Sequence, residues 1–165
     1  MDTSSAEIEQ ILAHLAATPQ RLTLLTSGRD PVQLHAAPDQ DTWSIQAILA
    51  HLRACADVWG KSILTMIAQN HPTLRYVSPR TWIRKTDYLE QAFDISLQAF
   101  TSQRADLLAA LNRLALADWA RAATFTGTVR GRSQTVFSYA QRIVDHERQH
   151  LEQIESILNE GDAGT

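Results

Sequence analysis

The sequence predicts an all-α protein, a four-helix bundle with long connections. Three observations carry this. Four long segments repeat their apolar residues at every third and fourth position. Strand signals are weak, the best being a short extended stretch at Phe125–Val129. The chain has 165 residues, 44% hydrophobic and 20% charged, enough for a single domain with a real core.

The first helix is expected from about Ser5 to Thr26. Ser4 and Glu7 form a capping-box pattern. Ile8, Ile11, Leu12, Leu15, Leu22 and Leu25 make its stripe. Pro19 predicts a kink or break near Thr18, and Gly28 and Pro31 stop the helix. The second runs from about Ser44, an N-cap residue, to Gln69, with Ile45, Ile48, Leu49, Leu52, Ala56, Trp59, Ile63 and Met66 on one face. The third is expected from about Asp87 to Arg113, capped by Thr86 or Asp87, with Leu89, Phe93, Leu97, Phe100, Leu107 and Leu111 in its stripe. The fourth runs from about Ser133 to Asn159. Val136, Ala140, Ile143, Val144, Leu151 and Ile154 line it, Gly161 suits its C′ position, and a polar tail follows at about 160–165.

Four such stripes must bury against each other. The connections are long, about 15–20 residues against the 2–8 usual in bundles. A 25-residue helix is about 37 Å long, and about sixteen extended residues reach about 53 Å. The second and third helices are therefore free to run parallel, which allows an up-down-down-up order.

Composition excludes several classes. The net charge is −3 and the thirteen arginines are scattered, so nucleic-acid binding is not expected. A single cysteine, Cys55, excludes an internal disulfide. No apolar run approaches the roughly 20 residues of a membrane span, and the polar, acidic N-terminus is unlike a signal peptide. A cytoplasmic protein is the expectation.

The chemistry is concentrated in Asp145-His146-Glu147-Arg148-Gln149-His150, which contains an H-E-x-x-H motif. Residues four apart share a helix face about 6 Å apart along the axis, so both imidazoles can reach one ion; the other reading of the spacing is two ordinary histidines on a solvated face. On a helical wheel centred on Ala140, His146 and His150 fall about 120° and 80° to one side of the apolar stripe. His51, on a wheel centred on Ile45, also falls about 120° to the side. All three edge a core face, where three histidines and a free position would make a catalytic rather than a structural metal site. Glu147 lies about 20° from the stripe centre, where a carboxylate is costly unless paired. Two readings stand there: a partner of a ligand histidine or general base, or a buried ion pair with an arginine such as Arg53. A metalloprotease is not expected, because its third ligand follows the motif and only fifteen residues follow His150. A di-iron bundle needs two Glu-x-x-His motifs, and Glu147 to His150 is the only one.

Trp43-Ser44-Ile45, Ala50-His51-Leu52 and the run from Asp145 to Ile154 resemble the DinB-like, damage-inducible metal-binding bundles. Leu15-Ala16-Ala17-Thr18-Pro19 and the stretch Thr126–Gly131 are similar to that family as well. The resemblance spans nearly the whole chain. It implies an up-down-down-up bundle, often a homodimer, with a divalent metal such as zinc or nickel on His51, His146 and His150. It also implies a small-molecule substrate and a low-molecular-weight thiol S-transferase activity, with a metal-dependent hydrolase or a non-catalytic metal-binding stress protein as alternatives. Among other residues, Cys55 lies one turn from His51 and is either near the metal or a small core residue. Arg142 and Tyr139 lie one and two turns before His146, where they either hold an anionic substrate or thiol carboxylate or form solvated surface. Gln153 continues the histidine face and would bond a ligand imidazole. The four tryptophans are expected to be packing residues.

Overall fold

The computed structural model describes residues 4–127 and 132–163. The capping box forms as expected: the Glu7 N–H donates to the Ser4 hydroxyl, the Glu7 carboxylate accepts from the Ser4 N–H, and helix α1 (Ser5–Thr26) begins there. The expected break near Thr18 does not occur, and α1 is continuous through Pro19. Proline has no N–H, so the Leu15 carbonyl loses its helical donor. Arg104 Nη1 donates to that carbonyl instead, at 2.9 Å. Gly28, at φ 73°, takes the left-handed backbone that ends this segment. A short helix α2 (Pro31–His35) follows, capped by Asp30.

The second expected helix is built of three pieces: α3 (Ile45–Cys55), a π-helical turn at Ala56–Gly60, and α4 (Lys61–Ala68). Ser44 caps it by accepting from the Ala47 N–H at 3.1 Å. A π turn is wider than an α turn. On an ideal α-helix Trp59 would lie about 80° around from His51; with the wider turn both rings reach His146.

After strand β1 (Thr73–Arg75) and the short helix α5 (Pro79–Trp82), the third long helix α6 spans Phe93–Leu111, starting later than Asp87. The cause is tertiary. The Gln46 side-chain amide donates to the carbonyls of Tyr88 and Gln91, at 3.0 and 2.8 Å, and ties this stretch to α3. Neither Thr86 nor Asp87 is the cap; Ala92 holds that position without a side-chain bond.

Strands β2 (Ala122–Thr126) and β3 (Arg132–Thr135) complete a small sheet of order β1-β2-β3, the first pair parallel and the second antiparallel. The expected extended stretch at Phe125–Val129 overlaps β2, while Thr128 to Gly131 lie outside the described residues. The fourth long helix, α7 (Val136–Ala163), starts after Ser133 because Ser133 pairs with Thr124 in the sheet. It runs past Gly161, so that glycine is no C′ residue and the expected tail is helical to Ala163; residues 164 and 165 lie outside the described part.

Cross-helix contacts give the directions of the four long helices. Going up α3, Gln46 meets Gln91, Arg53 meets Ser96, and Asp57 meets Gln103, so α3 and α6 run parallel. Arg21 pairs with Glu155, and Arg29 with Asp162, so α1 and α7 run parallel. Trp43 lies against His150 and Trp59 against His146, so α3–α4 and α7 are antiparallel. The order is up-down-down-up.

The core falls into two apolar clusters. One gathers Ile11, Leu15, Trp59, Ile63, Phe125 and Ile143; the other Leu22, Ile48, Leu52, Phe93, Phe100 and Ile154. Buried polar groups lie at the seam. Arg104 falls between Phe100 and Leu107 of the two clusters, Glu147 between Val144 and Ile154, and His51 between Leu49 and Cys55. No helix among the described residues is long and apolar enough to cross a membrane.

Candidate metal centre

The sequence places one histidine on α3 and two, four residues apart, on α7. The fold brings them together. His146 Nε2 lies 3.2 Å from His51 Nε2 and 3.3 Å from His150 Nε2. His51 is buried, with only 6% of its surface exposed. Cys55, one turn on and also buried, sets Sγ 3.6 Å from His51 Nε2. The donor atoms of His51, Cys55 and His146 all lie within 4.8 Å of one another.

Three ring nitrogens facing one point repel unless something links them. These distances suit a cation. A tetrahedral ion with bonds of about 2.0–2.1 Å to nitrogen holds its nitrogens about 3.3–3.4 Å apart, and a nitrogen and a thiolate sulfur about 3.5–3.6 Å apart. The protonation states suit it too. Burial first, then the charge of His150, lowers His51 to about 4. Burial, followed by His150, His51 and two arginines, lowers His146 to about 3. Burial lowers His150 as well. All three are therefore neutral at pH 7, the form that binds metal. His150 Nδ1 lies 3.0 Å from Gln153 Oε1. With the amide oxygen as acceptor, Nδ1 carries the proton and Nε2 presents its lone pair to the cluster. Gln153 thus meets the expected imidazole. His146 Nδ1 is buried and has no partner among the described residues.

Glu147 takes one of its two expected readings, a buried ion pair with an arginine from another helix, and the arginine is Arg104 rather than Arg53. It is 4% exposed, and both its oxygens accept from the guanidinium of Arg104 on α6. Arg53 instead donates to Gln91 Oε1 at 2.6 Å and Ser96 Oγ at 3.1 Å and lies over the Tyr88 ring. Tyr139 is a core residue stacked on Phe125, and burial pushes its hydroxyl up to about 12. Arg142 is exposed, its guanidinium lying over Trp59 at 4.6 Å and Tyr139 at 5.8 Å. It lines an open cavity of about 500 Å³ with Gln141, Asp145, His146 and Gln149.

Sequence reading passed over three participants. Arg104 occupies a stripe position of α6 between Phe100 and Leu107, a charged residue where an apolar one belongs, and that was the available signal. Trp43 and Trp59, read as packing residues, both touch the histidines. The Trp43 ring lies 5.1 Å from His51 and stacks at 6.1 Å on His150, and Trp59 meets His146 edge-on at 4.9 Å.

The profile of the DinB superfamily matches residues 14–154. The chain belongs to the DinB superfamily. No curated protein matches it significantly. Among solved structures, this DinB chain is similar to YfiT from Bacillus subtilis, with a TM-score of 0.85 and 16% identity over 97% of this chain and 90% of that one. YfiT is described as a probable metal-dependent hydrolase with an unusual four-helix bundle topology. At that identity the likeness shows the shared fold.

Proposed function

We propose that this DinB protein is a metal-dependent enzyme acting on a small molecule. In this reading His51, His146 and His150 hold a divalent cation, zinc or nickel, and the reaction is transfer of a low-molecular-weight thiol. The observation that carries it is the convergence of three neutral imidazoles from two antiparallel helices, with His146 Nε2 3.2 Å from that of His51 and 3.3 Å from that of His150. A bound cation supplies Lewis-acid chemistry there, lowering the pKa of a coordinated thiol or water. The chain's own residues do the rest. Gln153 fixes the tautomer of His150. Both oxygens of Glu147 are taken by Arg104, so it is a positioning residue that ties α7 to α6 across the core rather than a proton acceptor. Arg142, braced on Tyr139 and Trp59, faces the cavity beside His146 and would hold the carboxylate of a thiol. Hydrolysis of a small molecule is the runner-up, supported by the description of YfiT.

Elemental analysis tests the centre. About one equivalent of metal, lost in folded His51→Ala and His150→Ala variants, supports it. Metal retained without His51 overturns it. A thiol panel with an electrophile, run on metal-loaded and metal-stripped protein, then tests the chemistry; no metal-dependent turnover with any thiol sinks the transferase version.

Cys55 favours a second reading, a non-catalytic metal-binding protein. Its sulfur lies at the distance a tetrahedral ion would impose, so the protein itself would close the centre. Cobalt(II) separates the two. A sulfur-to-cobalt charge-transfer band that vanishes in Cys55→Ser, with no response to added thiol, marks the closed centre. Visible bands that shift on adding thiol mark the open one.

A further inference from the structure

Residues 58–86 hold five cations and no acid. Lys61, Arg75, Arg80, Arg84 and Lys85 fall there, while the rest of the chain carries ten basic and eighteen acidic residues. All five are exposed, and among the described residues none makes an ion pair or a side-chain hydrogen bond. A chain that is acidic elsewhere thus has one region of uncompensated positive charge, which raises the local concentration of anions.

A cavity of about 210 Å³ lies in this region, between the π turn, α4, β1 and α5. It is separate from the histidine cluster, although the π turn serves both: Trp59 meets His146, while Asp57 and Val58 line the cavity. The walls are largely apolar, formed by Val58, Leu74, Val77 and Trp82. The volume is below the roughly 300–1,000 Å³ of sites for drug-sized ligands, so it suits a molecule of about one ring.

Five side chains on the walls carry donors, and three of them are already engaged. The Ser62 hydroxyl donates to the Val58 carbonyl at 2.9 Å, the Thr65 hydroxyl to the Lys61 carbonyl at 2.8 Å, and the Trp82 indole N–H to Asp57 at 2.9 Å. Lys61 and Arg75 are the two that remain. Asp57, the one acid on the walls, accepts from three neutral donors: Trp82, the Tyr88 hydroxyl and the Gln103 amide. Its oxygens are occupied by the protein itself. A ligand entering the cavity therefore meets apolar walls and two cations whose donors are unspent.

We propose that this cavity is a second ligand site, for a small organic acid whose apolar body lies against Val58, Leu74 and Trp82 and whose anionic head is met by Lys61 and Arg75. The proposal does not depend on the metal centre.

Nuclear magnetic resonance of the nitrogen-labelled protein at low salt tests it, read at the indole N–H signals, with that of Trp82 identified by Trp82→Phe. The probes separate ring from charge: benzoate has both, benzamide the ring alone, acetate the charge alone, and benzylamine the ring with the opposite charge. Benzoate is expected to shift Trp82 and to bind about tenfold or more tighter than any of the other three. Lys61→Gln and Arg75→Gln should each lower benzoate affinity severalfold and leave benzamide unchanged, with helicity that of the parent. Benzamide or benzylamine bound as tightly as benzoate overturns the proposal, as does benzoate affinity that both variants keep. Benzoate that moves Trp43 or Trp59 and leaves Trp82 still is bound at the histidine cluster, which overturns the second site. No shift of Trp82 with any probe at millimolar concentration overturns it as well.

Discussion

Arg104 and Glu147 form a fully buried ion pair that joins α6 to α7, and the same guanidinium donates to the Leu15 carbonyl that Pro19 leaves free in α1. Three helices therefore meet at one side chain. Removing one partner strands a buried charge, which costs about 3–5 kcal/mol. Arg104→Met and Glu147→Gln are each expected to lower stability by that order in chemical denaturation. The double variant Arg104→Met with Glu147→Leu should recover much of the loss, because well-packed apolar pairs often replace buried ion pairs at little cost. A double variant no better than the sum of the singles would show that the pair does more than balance charge.

Pro19 gives a related expectation. Pro19→Ala restores an N–H to α1, which then competes with Arg104 for the Leu15 carbonyl. Arg104 Nε is already buried without a partner, so a second loss at the same group is unfavourable. Helix propensity pulls the other way. Thermal melts of Pro19→Ala in the parent and in Arg104→Met should therefore disagree, with the gain larger where Arg104 is absent. Equal effects in the two backgrounds would mean the carbonyl contact contributes nothing measurable.

Gln153 orients His150 from outside the cluster. Partners of ligand histidines typically affect metal affinity about 10–100-fold. Gln153→Leu should weaken metal binding in that range, while Gln153→Glu should preserve it. Competition with a chelator of known affinity measures both, and circular dichroism checks the fold.

The histidines also set a pH window. His51 and His146 have folded values near 4 and 3, below the ordinary 6.5, so the unfolded chain binds more protons between those limits. Stability from the buried neutral rings is complete above about 6.5 and falls as pH drops toward 3, as one coupled transition. Metal affinity falls over the same window, since protons compete for the lone pairs. Denaturation of metal-free protein at pH 7.5 and 5 should show lower stability at 5. A triple His→Ala variant that folds should lose that slope; a slope that persists would place its origin elsewhere.

The long helices were legible because their stripes repeat at helical spacing, and the two His146–His150 rings because residues four apart share a face. The small sheet was not. β3 reads Arg-Ser-Gln-Thr and β1 spans three residues, so neither has an apolar alternation to read. The start of α6 was misplaced because Gln46, forty-two residues before Tyr88, holds that stretch, and no local signal reports a distant donor. Arg104 was visible as a charge inside an apolar stripe, but its partner was not. Arg53 is buried as well, and only the tertiary fold, which turns Arg104 to Glu147 and Arg53 to Gln91, separates the two candidates.

The π turn at Ala56–Gly60 has a consequence for chain length. It accommodates one residue more than an α turn would. Shortening this stretch by one residue would close it to ordinary helix and leave everything beyond it facing as it does now, whereas the full-length stretch wound as α-helix would swing that part by about 100° relative to α3. Ile63 and Met66, both wholly buried, would keep their places in the core after such a deletion and would lose them if the full-length stretch became α-helical. A single-residue deletion between 56 and 60 should therefore be tolerated far better than one within α4, which has no extra residue to give up.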